Sequence, residues 1–276
     1  MGEVLTAFGN AFAASAALAL PAAFLWGVLS VVAMLGLMVW ALIRKRLRLE
    51  YVRWRIWHGV LASLAMLAVM VHAYMVGQYI GTPLKQGLWM GYGALCLFLV
   101  AYLRVWKPLQ MLRRPYQVVA VKPDHGALYS LVLEPVGHAG LRFQPGQFAW
   151  LTARHSPFAA HEHPFSFSSS SEQTGTLEFA IKELGDFTGT IKDLPLGQHV
   201  YVDGPYGAFS PDRHADVDQY VLIAGGSGIG PMMSILRTMA DRGDKRPVTL
   251  LYGSRTWDDA HFREELETLT ERLDLT

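Results

Sequence analysis

Cysteine and charged side chains are both scarce in this sequence. A single cysteine, Cys96, excludes an internal disulfide and any iron–sulfur cluster ligated by cysteine alone. Charged residues make up 17% of the 276 residues and hydrophobic residues 51%, which is unlike an ordinary soluble protein. The formal net charge is only +1, so the composition predicts no nucleic acid or other polyanion as a partner.

The sequence contains three long apolar runs. They cover residues 18–43, 56–80 and 88–106, and each is close to or above the roughly 20 residues that cross a bilayer. The first run is too long for the core of a signal peptide and has no basic residue before it. The sequence therefore predicts three transmembrane helices in contact with a lipid bilayer.

The basic residues predict the orientation of these helices. Arg44, Lys45, Arg46, Arg48, Arg53 and Arg55 follow the first run, and Arg104, Lys107, Arg113 and Arg114 follow or end the third. The loop around residues 81–86 holds one lysine. By the positive-inside rule the N-terminus is external and everything after Pro115 is cytoplasmic. We expect an integral protein of the plasma membrane or of a bacterial inner membrane.

Two histidines, His58 and His72, lie on the second apolar run. On a helix, this spacing places the two imidazoles within about 40° of one another around the axis and roughly 21 Å apart along it. Because an imidazole in hydrocarbon is costly without a partner, the pair predicts ligands to two stacked haems. Two alternatives stay open: His58 can reach the membrane interface, and His72 can hydrogen-bond a neighbouring helix.

After Pro115 the pattern changes to short alternating segments bounded by turn residues. The predicted strands cover residues 116–122, 128–133, 147–152, 177–182 and 199–202. Regular short strands of this kind indicate a small antiparallel barrel.

From Gln219 onward the pattern is strand, glycine-rich loop, helix, strand, helix. The predicted strands are 220–224 and 248–252, and the predicted helices are 232–241 and 258–273. This order opens a doubly wound α/β domain. The sequence thus predicts a multi-domain membrane protein with an α-helical transmembrane bundle (1–114), an antiparallel β-barrel (115–212) and a partial α/β domain (218–276).

The glycine-rich loop between the first α/β strand and its helix predicts a nucleotide site. Backbone N–H groups at a helix N-terminus attract phosphate, and glycine lets the backbone approach it closely. The loop residues concerned are Gly225, Gly226, Gly228, Gly230 and Pro231. The alternative is a tight connection with no ligand.

Ser254 and Arg255 follow the second α/β strand, where a doubly wound fold contacts the adenosine ribose. An acidic residue there would favour NADH, whereas a hydroxyl with a guanidinium binds a 2′-phosphate. The pair favours NADPH, and the alternative is an arginine that is merely solvated.

Three further motifs, taken with the glycine loop, resemble the ferredoxin–NADP reductase-like flavoenzymes in order and spacing. They are His163-Pro164-Phe165-Ser166-Phe167-Ser168-Ser169, the stretch from Lys182 to Thr188, and Gly204-Pro205-Tyr206-Gly207. The membrane part, with Tyr51 to His58 followed by His72, resembles that of the ferric reductase and NADPH oxidase family. Together these likenesses cover nearly the whole chain from about Leu20.

The resemblance implies roles for individual residues. Phe165 would pack on the isoalloxazine of FAD and Ser166 would hydrogen-bond near its N5, so both stand at the catalytic centre. His163 and Pro164 belong to the same flavin contact. Gly185 and Thr188 would lie at the FAD pyrophosphate, and Lys182, which begins the same motif, would be a further cofactor-binding residue. Residues 225–231 would hold NADPH, and His58 and His72 would ligate the inner and outer haem b.

The family has six core spans and a second histidine pair, and further strands follow its nucleotide loop. This sequence offers three spans, one histidine for each haem and two β–α units, so we expect a fragment of a longer polypeptide or a chain that needs a partner. The implied activity is electron transfer from NADPH through FAD and two haems to an external acceptor, dioxygen or a ferric chelate. The alternatives are a haem-free membrane flavin reductase and a non-enzymatic membrane subunit with a degenerate reductase domain.

Overall fold

The computed structural model describes residues 2–44, 46, 51–78, 80–153, 156–159, 161–214 and 216–276, with side chains described for this set except at 2–20, 51 and 52. The chain divides into two compact units, Met1–Lys107 and Pro108–Thr276. The first unit is helical, and the second contains the predicted barrel and α/β domain.

Long helices make up the first unit. They are α1 (Gly2–Ile43), α2 (Tyr51–Val76) and α3 (Pro83–Ala101), and α3 is continued by a π-helical turn (Tyr102–Trp106). The short helix α4 (Lys107–Leu112) follows this turn and, apart from Lys107, belongs to the second unit. Three segments are long and apolar enough to cross a membrane: Pro21–Ile43, Arg53–Val76 and Pro83–Leu112. The prediction of three long apolar helices is confirmed, although their ends differ from those predicted.

Local backbone chemistry sets these ends. Gly77 has φ +66°, a left-handed conformation that ends helices, so the predicted continuation of the second helix to residue 80 is wrong. The Thr82 hydroxyl caps α3 by accepting from the N–H of Lys85, and Pro83 lies in the first turn. The third helix therefore begins inside the predicted external loop, before residue 88.

Small side chains let α1 and α2 approach closely. Ala23 and Ala33 of α1 are buried, as is Ala68 of α2. At Gly27 of α1, a Cβ atom would lie 2.7 Å from Cε1 of His72 on α2. The His72 ring therefore occupies the space that the missing Gly27 side chain leaves, and this small residue lets the two helices approach closely.

A Gly27→Ala substitution is expected to push the His72 ring aside and to lower the melting temperature of the protein in detergent. Overpacking of this kind costs about 1–3 kcal/mol. Gly36→Ala on the same helix is the matched control, because its Cβ atom would meet Cδ2 of Leu61 at an ordinary 3.8 Å. Equal melting temperatures for the two variants would contradict the packing described.

Six antiparallel strands form the barrel in the second unit. They are β1 (Tyr116–Pro123), β2 (Leu128–Pro135), β3 (Phe148–Thr152), β4 (His163–Ser166), β5 (Leu177–Lys182) and β6 (His199–Tyr206). Their order is β4-β3-β6-β1-β2-β5, and a bridge between Phe167 and Phe179 brings the two outer strands together. All five predicted strands are confirmed, and β4 is an addition.

Inward-facing side chains of these strands fill the barrel. In β5, Leu177, Phe179 and Ile181 are buried and alternate with partly exposed residues, as expected for a strand with one face on a core. The rings of Phe143 and Phe167 stack in the centre with 4.0 Å between centroids. This core supports the strand that carries the predicted flavin motif.

The α/β part contains β7 (Tyr220–Gly225), α5 (Ile229–Arg242), β8 (Val248–Gly253) and α6 (Arg263–Thr270). β7 and β8 pair in parallel, and residues 274–276 make backbone hydrogen bonds to β8. Both helices pack on one face of the two strands. Val221, Ile223 and Leu251 lie on the other face and are exposed.

The last helix is shorter than predicted. Residues Trp257–Asp259 form a 3-10 turn capped by the Thr256 hydroxyl, and Phe262 has φ +58°. A left-handed residue interrupts an α-helix, so the α-helix begins at Arg263, and the predicted start at residue 258 is wrong.

Candidate functional site

The motif His163–Ser166 forms β4, and its Phe165 lies opposite Ala149 of β3. Pro164 is exposed, whereas Phe165 and Ser166 are half-buried. Because strand side chains alternate, Phe165 shares a face with His163, and Ser166 shares the other with Pro164. The strand thus presents an aromatic ring and a neighbouring hydroxyl, both partly open to solvent.

The loop that follows β5 meets β4 through Phe187. The ring of Phe187 stacks on His163 with 3.9 Å between centroids and an interplanar angle of 14°, and it lies 6.0 Å from the ring of Phe165. The structure therefore brings together two motifs that the sequence predicts at one flavin site. Phe187 itself was not among the predicted site residues, and its signal is an aromatic residue between Gly185 and Thr188.

Thr188 holds this loop in shape. Its hydroxyl oxygen accepts hydrogen bonds from the N–H groups of Leu184 and Gly185, both at 2.9 Å, and donates to the Gly185 carbonyl at 3.1 Å. Within the described chain, no atom lies within 4 Å of the position that a Gly185 Cβ would occupy. The loop backbone is thus ordered by Thr188 and open at Gly185.

These features fit a flavin nucleotide. The aromatic ring of Phe165 suits a flat ring system, and the Ser166 hydroxyl can donate or accept a hydrogen bond beside it. The open backbone at Gly185 can approach a phosphate. Lys182 is half-buried at the end of β5 and adds a cation on the same loop.

The predicted nucleotide loop lies between β7 and α5. Gly225 ends the strand, Gly226 has φ +51°, and residues Gly226–Gly228 form a 3-10 turn that leads into the helix. No described atom lies within 4 Å of a Cβ position at Gly225, Gly226 or Gly228. Pro231 lies in the first turn of α5, where its missing N–H is tolerated.

Gly230 differs from the other loop glycines. It is buried, and a Cβ atom there would lie 3.3 Å from Cβ of Ala180 on β5. Its small size therefore serves close packing of α5 against the barrel, whereas the predicted nucleotide contact belongs to the open side of the loop.

Ser254 and Arg255 follow β8, at the same edge of the sheet as the glycine loop, because Gly253 pairs with Gly225. Both are exposed. The Ser254 hydroxyl donates to the Thr256 carbonyl at 2.7 Å, and the Tyr252 hydroxyl of β8 donates to the Gly226 carbonyl at 3.2 Å. The two predicted parts of a dinucleotide site therefore lie on neighbouring strand ends.

His58 and His72 both lie on α2. His72 donates from Nδ1 to the Ala23 carbonyl of α1 at 2.7 Å, which is the helix-to-helix hydrogen bond left open as an alternative. His58 stacks on Trp54 with 4.8 Å between centroids. A bis-histidine haem needs two imidazoles for one iron, and no other histidine precedes His125 in the sequence. The described residues therefore do not complete a haem site.

Two family models match the second unit. Residues 130–210 match the model described as "FAD-binding domain", and residues 222–275 match the model described as "Oxidoreductase NAD-binding domain". The matched ranges contain β4, the Phe187 loop, the glycine loop and Arg255. Residues 130–210 are therefore similar to an FAD-binding domain, and residues 222–275 are similar to an oxidoreductase NAD-binding domain.

Among proteins of known sequence, the chain is similar to the propane 2-monooxygenase reductase component of Rhodococcus jostii (strain RHA1). The two are 35% identical over 169 residues, which is 60% of this chain and 44% of the relative. It is also 32% identical over 124 residues to the sulfhydrogenase 2 subunit gamma of Pyrococcus furiosus, covering 45% of this chain and 41% of that one. The chain spans less than half the length of these curated relatives.

Among solved structures, the ferredoxin reductase in carbazole 1,9a-dioxygenase has a TM-score of 0.50 and is 29% identical, over 59% of this chain and 48% of that one. Phthalate dioxygenase reductase has a TM-score of 0.52 at 20% identity, over 60% of this chain and 52% of that one. The second likeness shows the fold alone.

Proposed function

We propose that this chain is an oxidoreductase that takes electrons from NADPH, holds FAD in its barrel and passes electrons to an acceptor. The observation that carries the proposal is the meeting of the Phe187 loop with β4, in the same compact unit as an open glycine loop at the end of β7. The two matched domains and the reductase components among the relatives support it.

FAD, when bound, accepts two electrons as a hydride and releases them singly. Phe165 would then present its ring to the flavin, and the Ser166 hydroxyl would hydrogen-bond near the reacting nitrogen. The N–H groups at the Gly225–Gly228 loop would bind the pyrophosphate of NADPH at the start of α5. Arg255 would bind the 2′-phosphate.

We propose that the chain is an integral membrane protein of the ferric reductase type, in a plasma or bacterial inner membrane, with its second unit cytoplasmic. The proposal rests on the three candidate spans that precede the barrel and on the basic residues that flank them. Its external acceptor would be dioxygen or a ferric chelate. Retention in the membrane after alkaline carbonate extraction is the expected result, and release of the chain would contradict it.

His58 and His72 would each supply one haem ligand, so the opposite ligands would have to come from a partner chain or from further spans. The described residues therefore support the proposed route only as far as the flavin, and delivery of electrons to an external acceptor would require the missing haem ligands. A second candidate acceptor is an oxygenase component, because the relatives include the propane 2-monooxygenase reductase component of Rhodococcus jostii (strain RHA1) and the methane monooxygenase component C of Methylosinus trichosporium.

The proposal is tested on the full chain purified in detergent and incubated with FAD. We expect a bound flavin whose absorbance is lost on anaerobic mixing with NADPH, followed by reduction of an artificial electron-accepting dye. The proposal would be contradicted if the chain bound no FAD, or if neither NADPH nor NADH reduced its bound flavin. The alternative of a non-enzymatic subunit would then be favoured.

Two hydroxyl deletions separate catalysis from cofactor binding. Ser166→Ala is expected to slow flavin reduction by about tenfold with little change in FAD affinity, because its hydroxyl orients the reacting atoms. Thr188→Ala is expected to weaken FAD binding with little change in the rate of flavin reduction. The reason is that loss of its three loop hydrogen bonds loosens the backbone around Gly185. Stopped-flow flavin reduction and FAD titration measure the two effects. If both variants changed FAD affinity alone, the role of Ser166 would be wrong.

A further inference from the structure

One face of α5 is polar although it is buried against the barrel. Ser234 and Thr238 are completely buried, and the Arg237 side chain is 17% exposed. Residues at this spacing lie on one side of a helix. They face the serine run, residues 168–171, which follows the flavin motif of β4 in the sequence.

Direct hydrogen bonds join this face to the backbone of the serine run. The Ser234 hydroxyl donates to the Ser169 carbonyl at 2.8 Å, and the N–H of Ser171 donates to the Thr238 hydroxyl at 2.9 Å. Arg237 donates from Nη1 to the Ser168 carbonyl at 2.7 Å. Three backbone groups of the run are thus held by three side chains of α5.

Arg237 also joins two acidic residues from different elements. Nη1 donates to Glu178 of β5 at 3.1 Å, and Nε and Nη2 donate to the two carboxylate oxygens of Glu265 on α6, each at 2.6 Å. Burial disfavours the charged form, but the bonds to Glu265 and the charge of Glu178 prevail and raise the pKa of the guanidinium. The side chain is therefore a fixed cation between barrel and α/β domain.

We propose that Arg237 is a positioning residue that sets the register between the flavin strand and the helix that begins at the nucleotide loop. Its effect on hydride transfer rests on the proposed function. Ser168 is two residues beyond Ser166, and Arg237 lies about two turns along the helix that begins at the nucleotide loop. One side chain therefore links the segment after one proposed cofactor contact to the helix that follows the other. Hydride transfer needs the reacting atoms aligned at about 3–3.5 Å, and small displacements are costly.

The contacts of this side chain with Ser168, Glu178 and Glu265 require an arginine. A guanidinium offers five donors in a planar fork, and Arg237 directs them to a carbonyl and to two carboxylates at once. Lysine keeps the charge but cannot reproduce this fork. Methionine fills a similar volume and leaves Glu178 and Glu265 without their cation.

The experiment compares Arg237→Met and Arg237→Lys with Arg272→Met. Arg272 is the control because it pairs with Asp241 of α5, within the α/β part, and its side chain is 51% exposed. The first readout is hydrogen–deuterium exchange of the full chain without cofactor, in peptides covering residues 166–173 and 229–241. The second is flavin reduction at saturating NADPH, with KM and FAD affinity measured separately.

We expect faster exchange in both peptides for Arg237→Met, an intermediate rate for Arg237→Lys, and unchanged exchange for Arg272→Met. Flavin reduction in Arg237→Met should slow by about tenfold, with KM and FAD affinity within about twofold of the parent. Unchanged exchange, or a raised KM with an unchanged maximal rate, would overturn the inference. If Arg237→Met does not fold, Arg237→Lys decides by the same criteria. If the parent chain oxidises no nucleotide, the proposed function fails. The exchange data alone then decide whether Arg237 holds the serine run against α5.

Discussion

Replacement of Arg255 by alanine is expected to raise the KM for NADPH by about ten- to a hundredfold, while the KM for NADH changes little. Arg255 is exposed just beyond β8, at the strand end where a doubly wound fold contacts the adenosine ribose. A charge-assisted bond from its guanidinium to a phosphate contributes about 1.5–3 kcal/mol. NADH has no 2′-phosphate, so it has no such bond to lose.

The measurement is dye reduction at saturating FAD, with NADPH and NADH titrated separately. Lys245→Ala is the matched control, because it removes the same charge from an exposed residue just before β8, at the other end of that strand. Equal loss of activity with the two nucleotides would show that Arg255 shapes the loop after β8, and the preference for NADPH would have no support.

Elements with a strong local pattern could be predicted from the sequence. β5 was predicted with both ends correct, because its buried and exposed residues alternate without interruption from Leu177 to Lys182. β4 could not be predicted as a strand: it has four residues, one of them a proline, and is held by pairing with β3. Helix ends were less accurate, because Gly77 and Phe262 end or delay helices through backbone conformations that apolar periodicity does not reveal.

The resemblance implies that the His163–Ser166 motif and the loop after β5 belong to one flavin site, but the contacts between them do not follow from the sequence. Nothing in the sequence indicates that Phe187 stacks on His163. The serine run was interpreted only as part of the flavin motif. Its contacts with α5 join residues more than sixty positions apart, and they depend on how the α/β part packs on the barrel. Such pairs carry no local periodicity, so sequence analysis could not find them.

Truncation of Phe167 is expected to cause the largest loss of stability in the second unit. Phe167 is completely buried, with ring centroids 4.0 Å from Phe143 and 5.0 Å from Phe179. Its bridge to Phe179 also brings the outer strands of the barrel together. Replacing a buried phenylalanine by alanine removes its burial energy and leaves a cavity, at a cost of about 3–5 kcal/mol. For a unit of this size that lowers the melting temperature by roughly 10 °C.

The measurement is thermal unfolding of the full chain, monitored by the release of bound FAD, because Phe167 directly follows Ser166, the proposed flavin contact. Phe158→Ala is the matched control: it deletes the same ring from a side chain that is 44% exposed, in a 3-10 turn outside the strands. A surface substitution of this kind should change stability by no more than about 0.5 kcal/mol. If the two variants had the same melting temperature, the stacked rings would not be the centre of the barrel core. If Phe167→Ala alone melted early, the retention of FAD by the barrel would depend on packing of this ring inside it.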